Sequence, residues 1–204
     1  GNYGLVKRSS EGSILEINEN SRKLDCIDKE FNVGLYCFNL NWLKSAIHKI
    51  ASQNQEMYIT DLIKICVEDG HEINAIFPVT KSESLGINNK YELSVAEKIA
   101  QKRKNMDLML NGVIITDPNT TFIDFDCEIE KGTHIMPGTI IKSNSKIKQN
   151  CLIGPDVEIT ESCIANNTNI KKSVIQNSTI GANVNIGPFS HIRDKSDIQN
   201  NVYI

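Results

Sequence analysis

Isoleucine stands at positions 123, 129, 135, 141, 147, 153, 159, 164, 170, 175, 180, 186, 192, 198 and 204. Eleven of the fourteen steps are six residues long and three are five. Two positions before each isoleucine lies a small or β-branched residue, as at Thr121, Cys127, Thr133, Ser145, Cys151 and Val157. The residue between the two is usually polar or charged, as at Glu128, His134, Lys146 and Asp197. On a strand, residues i−2 and i share one face while i−1 points the other way. A six-residue period is too short for a helical or a sheet hairpin and predicts a parallel β-helix of hexapeptide rungs, three to a triangular coil. A narrow prism takes one large side chain per wall, so its neighbour must be small. Each buried isoleucine contributes roughly 1.5–3 kcal/mol, and stability accumulates coil on coil. Gly132, Gly138, Gly154, Gly181 and Gly187 fall between the strands, where corners need a permissive backbone.

The first 112 residues carry other periods. Residues 3–7 and 13–17 read as paired strands around the turn Ser9-Ser10-Glu11-Gly12, and 32–39 as a further strand. Asn41 offers an N-cap to a helix with Leu43, Ala46, Ile47 and Ile50 on one face. Thr60 or Asp61 caps a second helix, which Gly70 closes. Residues 73–79 read as a strand. Residues 91–111 read as a long helix ended by Gly112, with 98–105 a solvated stretch. Strands alternating with helices predict an α/β domain, to which the long helix joins the β-helix. The expected division is 1–90, a linker helix at 91–112, and coils at 113–204. Gly1 and Ile204 both fall in strand-like sequence with no capping element, so the chain is expected to be an internal segment of a longer protein.

Composition narrows the function. With 22 basic and 25 acidic side chains the formal charge is −3, and no basic stripe or Lys/Arg run points to nucleic acid or an anionic membrane. No apolar run approaches the ~20 residues of a membrane span, and no signal-peptide core opens the chain. The six cysteines form no C-x-x-C pair and have no histidine at ligand spacing, so free thiols in a reducing cytoplasm are expected.

Six strings, in order, carry a family resemblance: Tyr3-Gly4-Leu5-Val6-Lys7-Arg8, Ile14-Leu15-Glu16, Phe31-Asn32-Val33-Gly34-Leu35, Tyr58-Ile59-Thr60-Asp61, Leu85-Gly86-Ile87-Asn88-Asn89-Lys90 and Ile186-Gly187-Pro188-Phe189-Ser190-His191-Ile192-Arg193. Joined to the repeat, they resemble the bifunctional N-acetylglucosamine-1-phosphate uridyltransferase/glucosamine-1-phosphate acetyltransferases over essentially the whole chain. The resemblance implies the C-terminal portion of a Rossmann-like α/β nucleotidylyltransferase domain followed by a left-handed parallel β-helix. It implies uridylyl transfer from UTP to N-acetylglucosamine 1-phosphate, releasing pyrophosphate with Mg²⁺ neutralising charge. It also implies acetyl transfer from acetyl-CoA to glucosamine 1-phosphate, in a cytoplasmic homotrimer.

Carried over residue by residue, Gly4 brings its backbone close to the sugar, and Glu16 and Asn32 bond the sugar hydroxyls and N-acetyl group. Asn88 helps hold Mg²⁺ and the phosphates. Glu56, Tyr58 and Thr60 line the pocket, although Thr60 reads better as a helix cap and Tyr58 as core. Arg193 binds the acceptor's phosphate, while His191 reads as a surface histidine. Asp194 follows Arg193 where the family usually has proline. The Gly-rich nucleotide loop and a first Mg²⁺ aspartate are expected before Gly1, and the CoA-binding coils and a histidine base after Ile204. The segment alone is expected to catalyse neither step. A sugar-nucleotide pyrophosphorylase with a regulatory β-helix and a non-catalytic exchange-factor or scaffold subunit remain as alternatives.

Overall fold

The computed structural model describes residues 2–22, 30–50 and 57–204, which fall into two compact units, one up to Leu93 and one from Ser94 onward. Cys26 and Glu56 lie outside the described residues.

The first unit is built on a hairpin of β1 (Asn2–Arg8) and β2 (Ile14–Arg22), paired antiparallel around a turn at residues 9–12 where Gly12 takes a φ of 90°. Residues 30–32 run beside β1: Val6 donates to the Glu30 carbonyl, Asn32 donates to that of Gly4, and Arg8 forks onto the Glu30 carboxylate at 2.7 and 2.8 Å. The pairing stops there. The strand expected over 32–39 does not form, because Gly34 turns the chain at a φ of 84° and the Asn32 side chain accepts the Gly34 N–H. The strand expected over 73–79 is also absent. Its Ile76, Phe77 and Val79 are exposed, no described strand lies beside it, and Pro78 has no N–H to offer a ladder.

Helix α1 (Leu40–Ala46) starts two residues earlier than expected. Its N-cap is Asn39, whose Oδ1 accepts from Asn41 and Trp42, so the predicted cap Asn41 is instead a capped residue. Helix α2 (Asp61–Glu68) ends at Gly70, whose φ of 76° allows His71 to donate back to the Cys66 carbonyl. Thr60 is the N-cap by position only. It already has helical angles, and its hydroxyl makes no cap bond. Helix α3 (Lys90–Leu110) begins with a reciprocal cap, in which Asn89 Oδ1 accepts from Glu92 N–H while the Glu92 carboxylate accepts from Asn88 N–H.

The second unit is the parallel β-helix. Fifteen short strands make three sheets of five, and the sheet order steps three strands at a time, so each coil adds one strand to each wall. One wall holds Phe122–Ile123, Ile140–Lys142, Glu158–Thr160, Val174–Gln176 and His191–Ile192. Isoleucine stacks on isoleucine in every wall, as Ile123↔Ile141 and Ile135↔Ile153, and most of these side chains are fully buried.

Two further columns explain the composition. The small residue two positions before the isoleucine is buried from Thr121 through Val184, and the hydroxyls of Thr133, Ser145, Ser162, Thr168 and Ser173 each do two jobs. Thr168 Oγ1 donates to the Gly181 carbonyl at 2.8 Å and accepts the Val184 N–H at 3.3 Å. Ser162 and Ser173 repeat the pattern, each donating to a corner carbonyl and accepting an N–H from the next coil. Corners need left-handed backbone, which asparagine tolerates better than most residues. Asn150, Asn167, Asn183 and Asn201 sit at φ between 57° and 61°, and the Asn167, Asn183 and Asn201 side chains bond along the stack.

Thr168→Val keeps the shape but strands one buried acceptor and one donor. The expected cost is about 1–3 kcal/mol, read as a lower urea midpoint at unchanged slope.

Helix α3 corrects another expectation. The polar stretch 98–105 is not uniformly solvated: Gln101, Lys104 and Asn105 face the first coil, and Asn105 is 1% exposed. Gln101 Nε2 and Asn105 Nδ2 both donate to the carbonyls of Pro118 and Thr121. Lys104 Nζ donates to those of Phe125 and Cys127. One coil later the equivalent carbonyls of Thr139 and Ser145 accept from Phe122 and Glu128 of the coil before. Side chains of α3 thus stand in for a coil that is not there.

Among the described residues the cysteines are free. Burial pushes the Cys127 thiol up to about 11 and raises that of Cys151. Iodoacetamide at neutral pH should label the exposed Cys37 and Cys163 and spare Cys127 and Cys151 in mass spectra of the native chain. A raised folded-state pKa gives stability that is complete below the free thiol's value of about 8.5. That contribution should fade as pH climbs toward about 11.

Candidate functional site

The structure brings Gly4 and Asn32 together, since the Asn32 N–H donates to the Gly4 carbonyl at 2.7 Å. Gly4 is buried where the strands approach closely. A Cβ there would lie 2.8 Å from Ile17 Cγ2 and 3.2 Å from both carboxylate oxygens of Glu19, so any larger residue must push those side chains of β2 aside. Asn32 is half-buried and tied at both ends of its amide: Oδ1 accepts the Gly34 N–H at 3.0 Å, and Nδ2 donates to the Tyr36 hydroxyl at 2.6 Å. Tyr36 was not singled out in the sequence, where a hydroxyl four residues downstream of Asn32 carries no spacing signal.

Glu16 stands opposite Lys7 in the hairpin, and the two pair at 2.9 Å. The Lys7 ammonium holds the Glu16 carboxyl below the usual carboxylate range, and Lys64 of α2 adds to this. The pair is open to solvent and contributes little to stability. Helix α2 packs along β2. At the start of that helix, Thr60 is 3% exposed and its Oγ1 has no hydrogen-bond partner among the described residues, an orphaned buried polar atom of a kind shared only with Asn105 Oδ1 there.

Asn88 is exposed, and its bonds run to Glu92 at the start of α3 rather than to Gly4, Glu16 or Asn32. It supplies one neutral oxygen, while Mg²⁺ usually takes one or two carboxylates besides substrate phosphates. The Glu92 carboxylate is committed to the helix cap. Among the described residues no group of three or more His, Cys, Asp or Glu could hold a metal ion. These residues do not make a Mg²⁺ site by themselves.

In the β-helix, Arg193 follows Ile192 on the outer surface. Its backbone carbonyl accepts from Ser178 and Ser196, while its side chain is exposed and makes no hydrogen bond among the described residues. A guanidinium so placed keeps all five donors for a ligand. His191 is exposed on the same wall, 3.0 Å from Gln176 Oε1. Two shallow depressions mark the solenoid surface, one of about 320 Å³ beside the Glu130–Lys148 ion pair and one of about 270 Å³ beside Thr179 and Lys195; Arg193 lines neither.

Sequence comparison covers both units. Residues 123–204 match the family described as the GMPPB C-terminal domain, which reaches only the β-helix. Similarity to the protein named bifunctional protein GlmU of Clostridium kluyveri extends much further, at 37% identity over 99% of this chain. The chain is a homologue of the bifunctional GlmU proteins. The GlmU of Clostridioides difficile is 38% identical over 99% of the chain, and that of Clostridium beijerinckii 40% identical over 96%. The chain spans less than half of each relative's length: 45% of the first two and 44% of the third. Because the GlmU similarity runs through hairpin, helices and coils alike, both compact units are matched in one order in one polypeptide. Among the described residues no helix is long and apolar enough to cross a membrane.

Proposed function

We propose that this chain is a segment of a cytoplasmic bifunctional enzyme making UDP-N-acetylglucosamine. Residues 1–90 would belong to the uridyltransferase half, 91–112 to a linker helix and 113–204 to the first coils of the acetyltransferase half, with three copies associating through the β-helix. The observation that carries the reading is the junction of Gly4 with Asn32, which sets two sugar-binding candidates side by side on a strand too crowded for a side chain at position 4.

On this reading the first half binds N-acetylglucosamine 1-phosphate. Gly4 brings its backbone close to the sugar, Asn32 offers its amide, and Glu16 accepts from a sugar hydroxyl after giving up Lys7. Thr60 Oγ1, buried and unpartnered, would gain in the complex the bond it lacks here. Asn88 would add one oxygen to Mg²⁺ beside the phosphates. When bound, that ion supplies charge neutralisation for displacement of pyrophosphate from UTP. The second half places Arg193 on the phosphate of glucosamine 1-phosphate while acetyl-CoA donates the acetyl group.

Separating the two activities in the full-length protein tests this. Asn32→Ala is expected to lower uridylyl transfer about tenfold or more while acetyl transfer is unchanged. Arg193→Ala should do the reverse, raising the KM for glucosamine 1-phosphate about 10- to 100-fold. If neither variant touches its assigned reaction, the reading fails.

A further inference from the structure

We infer that Tyr36 is a positioning residue, which fixes the side-chain amide of Asn32 so that the sugar-nucleotide half distinguishes an acetamido sugar from one bearing only a hydroxyl. The inference rests on the sugar-binding reading of Asn32 and extends it to a residue with no assigned role.

The orientation of the Asn32 amide follows from chemistry. A backbone N–H can only donate, so the group 3.0 Å from Gly34 N must be Oδ1, and Nδ2 therefore faces Tyr36. The 2.6 Å contact is then an N–H donated to the phenol oxygen. Both bonds are needed. With Gly34 alone the amide could swing about its one fixed end, whereas two ends leave a single pose. That pose keeps one N–H and one oxygen lone pair free, a donor and an acceptor held together. An acetamido group presents the complement, a carbonyl oxygen and an N–H, and a sugar hydroxyl at the same carbon cannot satisfy both. A site built on paired polar groups rejects a partner that leaves one unpaired.

Tyr36 is itself held in place. Its ring stacks on Phe38 at 5.6 Å and 17°, and Phe38 packs against Trp42 at 5.9 Å, next to the start of α1. Partial burial and nearby Glu19 raise the Tyr36 phenol, while the bond from Asn32 works against that rise. The phenol therefore stays neutral at physiological pH and accepts from Nδ2 throughout. The same asparagine is anchored through its backbone to Gly4, so the stack from Trp42 to Tyr36 ends on the residue that meets the sugar.

Tyr36→Phe keeps the ring stack and removes only the hydroxyl. In the full-length protein, the preference in kcat/KM for N-acetylglucosamine 1-phosphate over glucose 1-phosphate is expected to fall about three- to tenfold, mainly through KM. Asn32→Ala should lower it at least as far, and the double variant should be no worse than Asn32→Ala alone, since Tyr36 acts through Asn32. Unchanged preference in Tyr36→Phe, with preference lost in Asn32→Ala, overturns the positioning role and leaves the sugar reading standing. An additive double variant overturns it too. Preference unchanged in Asn32→Ala overturns the sugar reading and this inference with it. Should Tyr36→Phe not fold, side-chain amide exchange in the native chain decides the matter. One Nδ2 proton of Asn32 should exchange slowly, and two equally fast protons overturn the proposal.

Discussion

Ile153→Asp is expected to unfold the coils around it, whereas Leu152→Asp, one residue away, should leave the melting curve nearly unchanged. Ile153 is 0% exposed, stacked between Ile135 and Ile170, while Leu152 points outward at 39% exposure. A carboxylate at 153 would meet only isoleucine and small side chains, with no cation in the prism and with hydroxyls already donating to backbone carbonyls. An unpaired buried charge costs several kcal/mol even after it is neutralised by taking up a proton. The coils share one column, so the damage should spread to neighbours on both sides. A loss above about 4 kcal/mol at 153, against under about 0.5 kcal/mol at 152, would be read by circular dichroism during heating. Equal effects at the two sites would refute the alternation of inward and outward residues.

The double variant Lys104→Met, Asn105→Leu is the second large expected effect. It removes the donors to Phe125 and Cys127 and one of the two donors each to Pro118 and Thr121. Gln101 still reaches Pro118 and Thr121, so the first coil is weakened rather than abolished. Leucine at 105 also relieves the buried Asn105 Oδ1, which has no partner, so the net loss is expected at about 2–4 kcal/mol. Hydrogen exchange should localise it, with amides at residues 113–130 losing protection first and those near Ile170 keeping theirs. Uniform loss across all coils, or no loss, would show that α3 does not close the stack.

The coils were legible because one rule is enforced at every rung. A large side chain inside needs a small one beside it, and the spacing of Ile and Thr or Ser states that directly. The capping role of α3 was not legible, because Gln101, Lys104 and Asn105 have the composition of a solvated helix face. Only the missing coil beneath Thr121 turns those side chains into necessary donors. The stretches 32–39 and 73–79 have strand-like composition, but a strand is a property of a pair, and apolar alternation cannot supply the neighbour. In the candidate site, Gly4 and Asn32 were found through their surrounding motifs. Tyr36 was missed because its part depends on how Gly34 folds the chain back. Thr60 was read as a cap from residue type alone. The chain reaches helical angles at Thr60 itself, and its hydroxyl is left without a partner.

The Ser and Thr column carries a consequence for how such a molecule can change over time. The hydroxyls of Thr133, Ser145, Ser162, Thr168 and Ser173 are each wired to a carbonyl and to the amide of the following turn, so neighbouring turns are locked in step. Swapping a whole turn of about eighteen residues preserves every connection, whereas gaining or losing a single residue inside a wall breaks two. Length variation should therefore come in whole turns or at the outer bends, leaving the wall spacing as a fixed ruler for any side chain, Arg193 included, displayed on its surface.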